Sequence, residues 1–386
     1  MAVAPPPSPP SVRGSFLLCV CQGGVEQPLI ARQQAILPAF APGAWRRGVV
    51  TFRIGPADFD PPDDFFPDLI LAHTVIRSLG QVVGDARGPG SGGVSAAAIE
   101  GVLRLVEGGR FDAIHAWPRT ARVADAKAAD PDDGLPVAAV RAAVAMAVGI
   151  DPGSERMAAP ARRGDLVLDI VLDAPERWWV GWHRVNAPPT SWPGGAYPGT
   201  LPAGAVSRAW LKLDEALTTF AVPLTPGERA IEFGASPGGA CQRLLEAGLS
   251  VVGVDAAVVH EQVAGHPRFE QWRMRAREVP LARFRGCDWL LADMNIDPAD
   301  TMAALGRVLE PGAARPKGVI ATLKMPTWSR AAEIDGWLAA FRSWGYVPQA
   351  RHLSTAGREI CVVALRSRGG RGRGPRTGCA RTGPSR

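Results

Sequence analysis

Apolar residues in the first half of the chain follow strand-like and helix-like patterns in turn. Short apolar runs typical of strands occur at 15–21, 48–54, 111–117, 165–173 and 177–185. Apolar residues at helical spacing occur at 25–39, 65–80 and 135–148. Ser95 is placed to cap one more helix, which runs to Glu107. This mixture predicts two small α+β modules, over 14–84 and 85–186.

Strand and helix patterns alternate regularly in the second half of the chain. A segment rich in proline and glycine at 187–204 precedes them, and we interpret it as a linker. Buried-type apolar runs lie near 230, 251, 288, 318 and 360. Such alternation predicts an α/β fold over 205–366, a doubly wound parallel sheet that binds ligands at the carboxyl ends of its strands.

A glycine-rich turn between two apolar strands is the main chemical signal of this half. Its residues are Gly234, Ala235, Ser236, Pro237, Gly238 and Gly239. Asp255 ends the next apolar run, where a carboxylate can hold the two hydroxyls of a ribose. The turn matches neither the dinucleotide fingerprint nor the phosphate-binding loop. It therefore suggests a nucleoside cofactor without a pyrophosphate, a description that S-adenosylmethionine fits.

Two lysines and two acids stand where the strand ends of this sheet are expected to meet. Asp293 and Lys324 each end an apolar run, and Glu359 begins the last one. Lys212 lies on the helix that precedes the glycine turn. If the last strand runs antiparallel, its start lies at the same edge as the ends of the others. The four side chains are then expected to meet beside the cofactor.

This set resembles the Lys-Asp-Lys-Glu tetrad of the FtsJ-like ribose 2′-O-methyltransferases, in matching order. The likeness is strongest with the bacterial 23S ribosomal RNA cytidine 2′-O-methyltransferases, whose catalytic domain also begins with the element found at 207–216, Ser-Arg-x-x-Leu-Lys-Leu-Asp-Glu-Ala. It covers 205–366 strongly and 14–200 weakly. The resemblance implies a Rossmann-like, class I methyltransferase domain behind a ferredoxin-like module at 14–84 and a THUMP-like RNA-binding module at 85–186.

The resemblance also implies a role for each member of the tetrad. Lys324 would take the proton of a cytidine 2′-hydroxyl in 23S ribosomal RNA, and Lys212 would supply a second cation. Asp293 and Glu359 would orient the amines and the hydroxyl, and Asp293 also joins the glycine turn and Asp255 in the cofactor-binding set. A lysine acts as a base only when neutral, and we expect crowding by a second cation and partial burial to lower its pKa.

Three positions depart from the family pattern around the cofactor. Ala240 follows the turn where an aromatic residue is usual, Arg275 stands near the position of an acid that contacts adenine, and Ala209 replaces a serine. These departures keep open an RNA-binding protein with a decayed cofactor site. A 2′-O-methyltransferase that acts on another RNA also stays open, because specificity lies in the divergent N-terminal half.

The basic charge of the chain is concentrated at one end. Hydrophobic residues make up 46% and charged residues 21%, as in globular proteins. The net charge of +6 comes from the arginines of a Gly/Arg segment, without which the chain is near neutral. We expect this segment, 367–386, and the proline-rich residues 1–13 to be disordered.

The sequence also lacks the patterns of membrane proteins, secreted proteins and common metal sites. No apolar run is long enough to span a membrane, and none has the form of a secretory signal. The six cysteines contain no Cys-x-x-Cys pair, which favours reduced thiols in the cytoplasm. The six histidines show no His-x-x-x-His spacing, so we expect no metal site. The overall expectation is a cytoplasmic monomer that acts on RNA.

Overall fold

The first half of the chain forms one seven-stranded sheet. The structure is a computed structural model, which describes residues 6–11, 14–55, 62, 65, 67, 69–85, 94–119, 135–310 and 312–367. The elements of this half are β1 (Phe16–Cys21), α1 (Glu26–Ile36), β2 (Ala41–Arg46), β3 (Val49–Arg53), β4 (Ala72–Val83), α2 (Ala96–Leu105), β5 (Ala113–Pro118), α3 (Val137–Ala147), α4 (Glu155–Ala158), β6 (Leu166–Ala174) and β7 (Arg177–Arg184). The strand order is β2-β3-β1-β4-β7-β6-β5.

Strands from both of the predicted α+β modules take part in this sheet, because β4 pairs with β7. Neighbouring strands are antiparallel except for β5 and β6, which are parallel. Buried side chains of α2 and α3, such as Val102 and Val144, pack against Ile170 and Trp178 of the sheet. The tryptophan-rich strand at 177–185 is therefore largely a packing element, with Trp178 and Trp182 fully buried.

The expectation of a helix over 65–80 is wrong, because β4 begins at Ala72. Its first seven residues are all buried, so apolar side chains occur on both faces and mask the alternation typical of a strand. The β-branched run Thr74, Val75 and Ile76 also favours a strand. β2 was not predicted, since five of its six residues are exposed and carry no apolar pattern.

The second half forms the doubly wound sheet that its alternating pattern predicts. Its elements are α5 (Ala209–Thr219), β8 (Arg229–Phe233), α6 (Gly239–Glu246), β9 (Ser250–Val254), α7 (Glu261–Ala264), β10 (Phe269–Trp272), β11 (Trp289–Ala292), α8 (Pro298–Leu309), β12 (Gly318–Lys324), α9 (Ile334–Ser343), β13 (Tyr346–Arg351) and β14 (Glu359–Arg366). The order is β10-β9-β8-β11-β12-β14-β13. β14 runs antiparallel to both of its neighbours, and the other pairs are parallel.

The two halves pack directly against each other. One buried cluster contains Leu29 and Phe52 from the first half together with Ile334 and Phe341 from the second. At its edge the guanidinium of Arg32 donates two hydrogen bonds to the carboxylate of Asp335. The sheet that carries the tetrad therefore has a fixed position relative to the first half.

Some expectations about the chain ends lie outside the described residues. This is so for the Gly/Arg segment from 368 onward and for residues 1–5. Within the proline-rich segment, Ser8 forms an isolated β-bridge with Arg110. None of the helices in the described ranges is long and apolar enough to cross a membrane.

Candidate active site

The two lysines and two acids meet in a closed ring of alternating charge. Lys212 Nζ donates to Asp293 Oδ2 at 2.7 Å and lies 3.1 Å from Glu359 Oε1. Lys324 Nζ donates to Asp293 Oδ1 at 2.8 Å and also to Glu359 Oε2. Each ammonium thus contacts both carboxylates, and each carboxylate contacts both ammoniums.

The sheet explains why residues so distant in sequence converge. Asp293 directly follows β11, and Lys324 is the last residue of the parallel neighbour β12, so both stand at the carboxyl edge. The antiparallel register of β14 pairs Glu359 with Lys324, which confirms the expected direction of the last strand. Lys212 reaches the ring from the first turn of α5.

The ring is mostly shielded from water. The exposed fractions of the side chains are 17% for Lys212, 17% for Asp293, 21% for Lys324 and 8% for Glu359. Burial opposes ionisation of Asp293, but the two ammoniums outweigh it and hold its pKa below the ordinary value. Asp293 is therefore a stable anion between the two lysines.

The surroundings of Lys212 favour its charged form. Burial alone would lower its pKa, but the carboxylates of Asp293 and Glu359 outweigh burial and raise the pKa above its ordinary value. The expected lowering of a lysine pKa concerns the proposed base, Lys324, and not Lys212. The two carboxylates hold Lys212 as a cation.

A small cavity lies behind the ring, where two of the departures from the family pattern are found. Ala209 and Ala240 border a space of about 30 Å³ together with Glu232 and three ring residues, Lys212, Asp293 and Glu359. Glu232 is fully buried and accepts a hydrogen bond from the Cys241 thiol at 2.8 Å. Burial raises the pKa of Glu232 to about 8, so this carboxyl is neutral at pH 7 and adds no charge to the ring.

Glu215 is a buried acid of α5 whose role the sequence did not reveal. Its two carboxylate oxygens accept four hydrogen bonds, from the backbone N–H and the hydroxyl of both Ser354 and Thr355, at 2.6–2.9 Å. The residue stands three positions after Lys212 on the same face of α5. Glu215 thereby ties the helix that carries Lys212 to the loop that leads into Glu359.

Removing this carboxylate is expected to destabilise the protein. Glu215→Ala leaves four buried or half-buried donors without their acceptor, and we expect a loss of about 3 kcal/mol in the free energy of unfolding. Denaturant unfolding measures this loss. Glu310→Ala, at an exposed acid beyond α8, is the control and is expected to change stability by less than about 0.5 kcal/mol. Equal stabilities of the two variants would contradict the tie.

Two clefts adjoin at the edge of the sheet that carries the ring. One has a volume of about 660 Å³, and its lining includes Gly234, Asp255, Asn295, Arg275 and Arg307. The other has a volume of about 690 Å³ and is lined by Lys212, Lys324 and Glu359 with Arg208 and Arg358. Asn295 and Ile296 line both clefts, so a ligand in each would meet beside the ring.

The glycine turn shapes the first cleft. Gly234 has φ +80°, and a Cβ there would lie 2.6 Å from the carbonyl oxygen of Asp293, so only glycine fits. Asp255 Oδ2 accepts a hydrogen bond from Ser236 N at 3.0 Å, and Oδ1 accepts one from Ala257 N at 2.9 Å. The second strand is therefore bound to the turn through this carboxylate, which also faces the cleft.

The predicted cofactor residues divide into two groups in the structure. Gly234 and Asp255 line the 660 Å³ cleft. Asp293 instead binds the two lysines, and the turn residues Ala235, Ser236, Pro237, Gly238 and Gly239 are not among the lining residues of that cleft. Arg275, one of the departures from the family pattern, does line the cleft.

Comparison with known proteins agrees with the geometry. Residues 205–308 match the family model described as FtsJ-like methyltransferase. This part of the chain is therefore similar to FtsJ-like methyltransferases, the family that the tetrad and the glycine turn resemble. The match begins just before α5 and ends within α8, so it includes Lys212, the glycine turn, Asp255 and Asp293.

Curated relatives share a name that concerns ribosomal RNA. The Ribosomal RNA large subunit methyltransferase M of Halorhodospira halophila is 33% identical over 186 residues, which cover 46% of this chain and 52% of the relative. The protein of that name from Laribacter hongkongensis is 34% identical over 190 residues, with 45% and 52% covered. The chain thus spans about half the length of the curated relatives it matches.

Likeness to solved structures is weak. TrmN from Thermus thermophilus is 17% identical with a TM-score of 0.32, and the alignment covers 91% of this chain and 99% of that one. A likeness of this size bears on neither mechanism nor substrate.

Proposed function

We propose that this protein transfers the methyl group of S-adenosylmethionine to a ribose 2′-hydroxyl in RNA, with a cytidine of large-subunit ribosomal RNA as the target. The observation that carries the proposal is the closed Lys-Asp-Lys-Glu ring at the junction of two clefts. The FtsJ-like domain supports the methyl-transfer chemistry, and the names of the relatives support the choice of RNA.

In the proposed step, the 2′-oxygen attacks the methyl carbon in line with the sulfur. The new O–C bond forms as the C–S bond breaks, and S-adenosylhomocysteine leaves. Lys324, which lies on the open 690 Å³ cleft, first gives up one ammonium proton to solvent, and the resulting amine takes the 2′-hydroxyl proton. Much of the rate comes from holding oxygen, carbon and sulfur in one line.

The other ring members act by charge and position. Lys212 stays cationic, because the two carboxylates raise its pKa, and it attracts the lone pairs of the attacking oxygen. Asp293 and Glu359 hold both amines in place. Arg208 and Arg358 line the substrate cleft, where guanidinium groups bind phosphates of an RNA backbone.

The cofactor is proposed to lie in the 660 Å³ cleft, with its ribose on Asp255. Asp255→Asn is expected to weaken S-adenosylmethionine binding about 10- to 100-fold, since hydrogen bonds to a charged group contribute about 1.5–3 kcal/mol. Titration calorimetry measures the dissociation constant. Glu261→Gln, at an exposed acid of α7, is the matched control. Unchanged affinity in the Asp255 variant would exclude this pose.

One observation favours a second candidate, an RNA-binding protein that no longer uses the cofactor. Arg275 and Arg307 line the proposed cofactor cleft, and guanidinium groups do not attract a sulfonium. Calorimetry with the parent protein separates the two functions. Absence of binding at millimolar S-adenosylmethionine would favour the decayed site.

The substrate is tested by mapping 2′-O-methyl groups in cellular RNA with and without this protein. Loss of one cytidine mark in large-subunit ribosomal RNA is the expected result. Loss of a mark in another RNA would support 2′-O-methyl transfer but contradict ribosomal RNA as the substrate. The match to the relatives covers about half of their length. The proposal further places the reaction in the cytoplasm, with the protein acting as a monomer whose first half holds the RNA.

A further inference from the structure

Two histidines and one aspartate gather inside the first half of the protein, away from the ring. His115 lies on β5, Asp169 on β6 and His183 on β7, three neighbouring strands of one sheet. Their exposed fractions are 4%, 1% and 7%. One potential ligand atom from each lies within 4.8 Å of the others. The cluster is therefore compact and closed to bulk solvent.

The hydrogen bonds of His183 show that a cation belongs between it and Asp169. His183 Nε2 lies 2.8 Å from the carbonyl oxygen of Thr190, which only accepts, so Nε2 carries the hydrogen. His183 Nδ1 lies 2.6 Å from Asp169 Oδ2. In a neutral imidazole this atom has a lone pair, and it would face the lone pairs of a carboxylate. Either a proton lies between the two atoms, or a metal ion binds both and holds them further apart than 2.6 Å.

His115 decides between these two cations. Its Nδ1 and the second oxygen of Asp169, Oδ1, are 3.8 Å apart, too far for a hydrogen bond. Both atoms are buried, and neither has a hydrogen-bond partner within the described part of the chain. A proton on His183 leaves His115 Nδ1 and Asp169 Oδ1 without hydrogen-bond partners, which destabilises the fold. One ion with bonds of about 2.0–2.2 Å to nitrogen and oxygen fits between atoms this far apart.

We propose that His115, Asp169 and His183 bind one divalent transition-metal ion of the zinc class in a structural site. The ligands are the Nδ1 atoms of the two imidazoles and the carboxylate of Asp169, a set that suits zinc. The Thr190 carbonyl holds the far nitrogen of His183 and so orients its ring toward the ion. The ion fastens three strands to the 188–191 turn, which leads toward the methyltransferase domain.

The site was hidden from the sequence for a physical reason. Its ligands come from three strands that pair in space but lie far apart along the chain, so no short spacing signals them. His115 and Asp169 are direct partners in the parallel register of β5 and β6. The proposal thus departs from the sequence-based expectation of no metal site.

The test uses the full-length protein, stripped with a chelator and titrated with Zn²⁺ or Co²⁺ alone. We expect the parent to bind one equivalent, with Co²⁺ absorption bands free of thiolate charge transfer, because no cysteine is a ligand. His115→Gln and Asp169→Asn are expected to weaken binding at least about 10-fold. His266→Gln, at a histidine of the other half, is the control and is expected to bind like the parent.

Three results would overturn the proposal. They are no binding by the parent, equal binding by the parent and both cluster variants, and thiolate bands that place the ion on cysteines. Should Asp169→Asn fail to fold, His115→Gln decides, because its Nδ1 has no hydrogen bond to lose within the described residues. Zn²⁺ is also expected to raise the Tm of the parent by several degrees and to leave that of His115→Gln unchanged; an equal rise in both would count against the site. Neither readout depends on methyl transfer.

Discussion

Lys324→Ala is expected to lower the rate of methyl transfer by about 10²- to 10⁴-fold, the usual contribution of a positioned general base. The 2′-hydroxyl is a weak acid, and the variant keeps only Lys212 on the substrate cleft, an ammonium that has no lone pair to accept the proton. Binding of S-adenosylmethionine is expected to stay within about twofold, because Lys324 lines the other cleft. Single-turnover kinetics with saturating cofactor measure the rate, and calorimetry measures the affinity.

Lys317→Ala is the matched control for this variant. Lys317 stands at the opposite end of β12, where it pairs with Glu228 at 2.6 Å and with Asp288 at 3.2 Å, away from both clefts. We expect this variant to methylate at the parent rate, since exposed ion pairs contribute little to stability. If Lys324→Ala also retains the parent rate, Lys324 is not the base.

Asp293→Ala is the second variant with a large expected effect. Asp293 accepts hydrogen bonds from both lysines, and its removal leaves two ammoniums that share one carboxylate, Glu359. We expect a rate loss as large as that of Lys324→Ala, together with a loss of about 3 kcal/mol in the free energy of unfolding, because breaking a buried ion pair leaves charge uncompensated. Kinetics and denaturant unfolding on the same preparation measure both effects.

Asp335→Ala provides the comparison for Asp293. Asp335 lies on α9, where its exposed carboxylate accepts two hydrogen bonds from Arg32, and the variant is expected to lose no more than about 1 kcal/mol of stability. Its methyl transfer is expected to stay near the parent rate. The double variant Lys324→Ala/Asp293→Ala is expected to be little slower than either single variant, since residues that act as a unit are not additive. Fully additive losses would mean that the two residues act separately.

The second half was predictable because its signals are local and its sheet is regular. Each tetrad residue in the sheet stands at the end or the start of an apolar run, and parallel strands bring such ends to one edge. The antiparallel last strand completes the set by pairing Glu359 with Lys324. Two strands at the edges of the sheet were not predicted, because β10 has only four residues and β13 alternates weakly.

The parts that could not be predicted depend on burial and on contacts between distant segments. β4 resembled a helix because burial on both faces removes alternation from its first seven residues. The raised pKa of Lys212 follows from two carboxylates that only the fold brings within hydrogen-bonding distance. The hydrogen bonds of Glu215 and the cluster around His115 could not be predicted either. They depend on the loop at Ser354 and on the strand β6, which lie far away in the sequence.

The most direct test of the central claim is to incubate the full-length protein with protein-free large-subunit ribosomal RNA and methyl-labelled S-adenosylmethionine, and then to analyse the nucleosides by mass spectrometry. The ring geometry predicts label in 2′-O-methylcytidine with the parent protein and with Lys317→Ala, and none with Lys324→Ala. Label on a base instead of a ribose, or label that persists in the Lys324 variant, would contradict the assignment of the ring as a ribose 2′-O-methyltransferase centre.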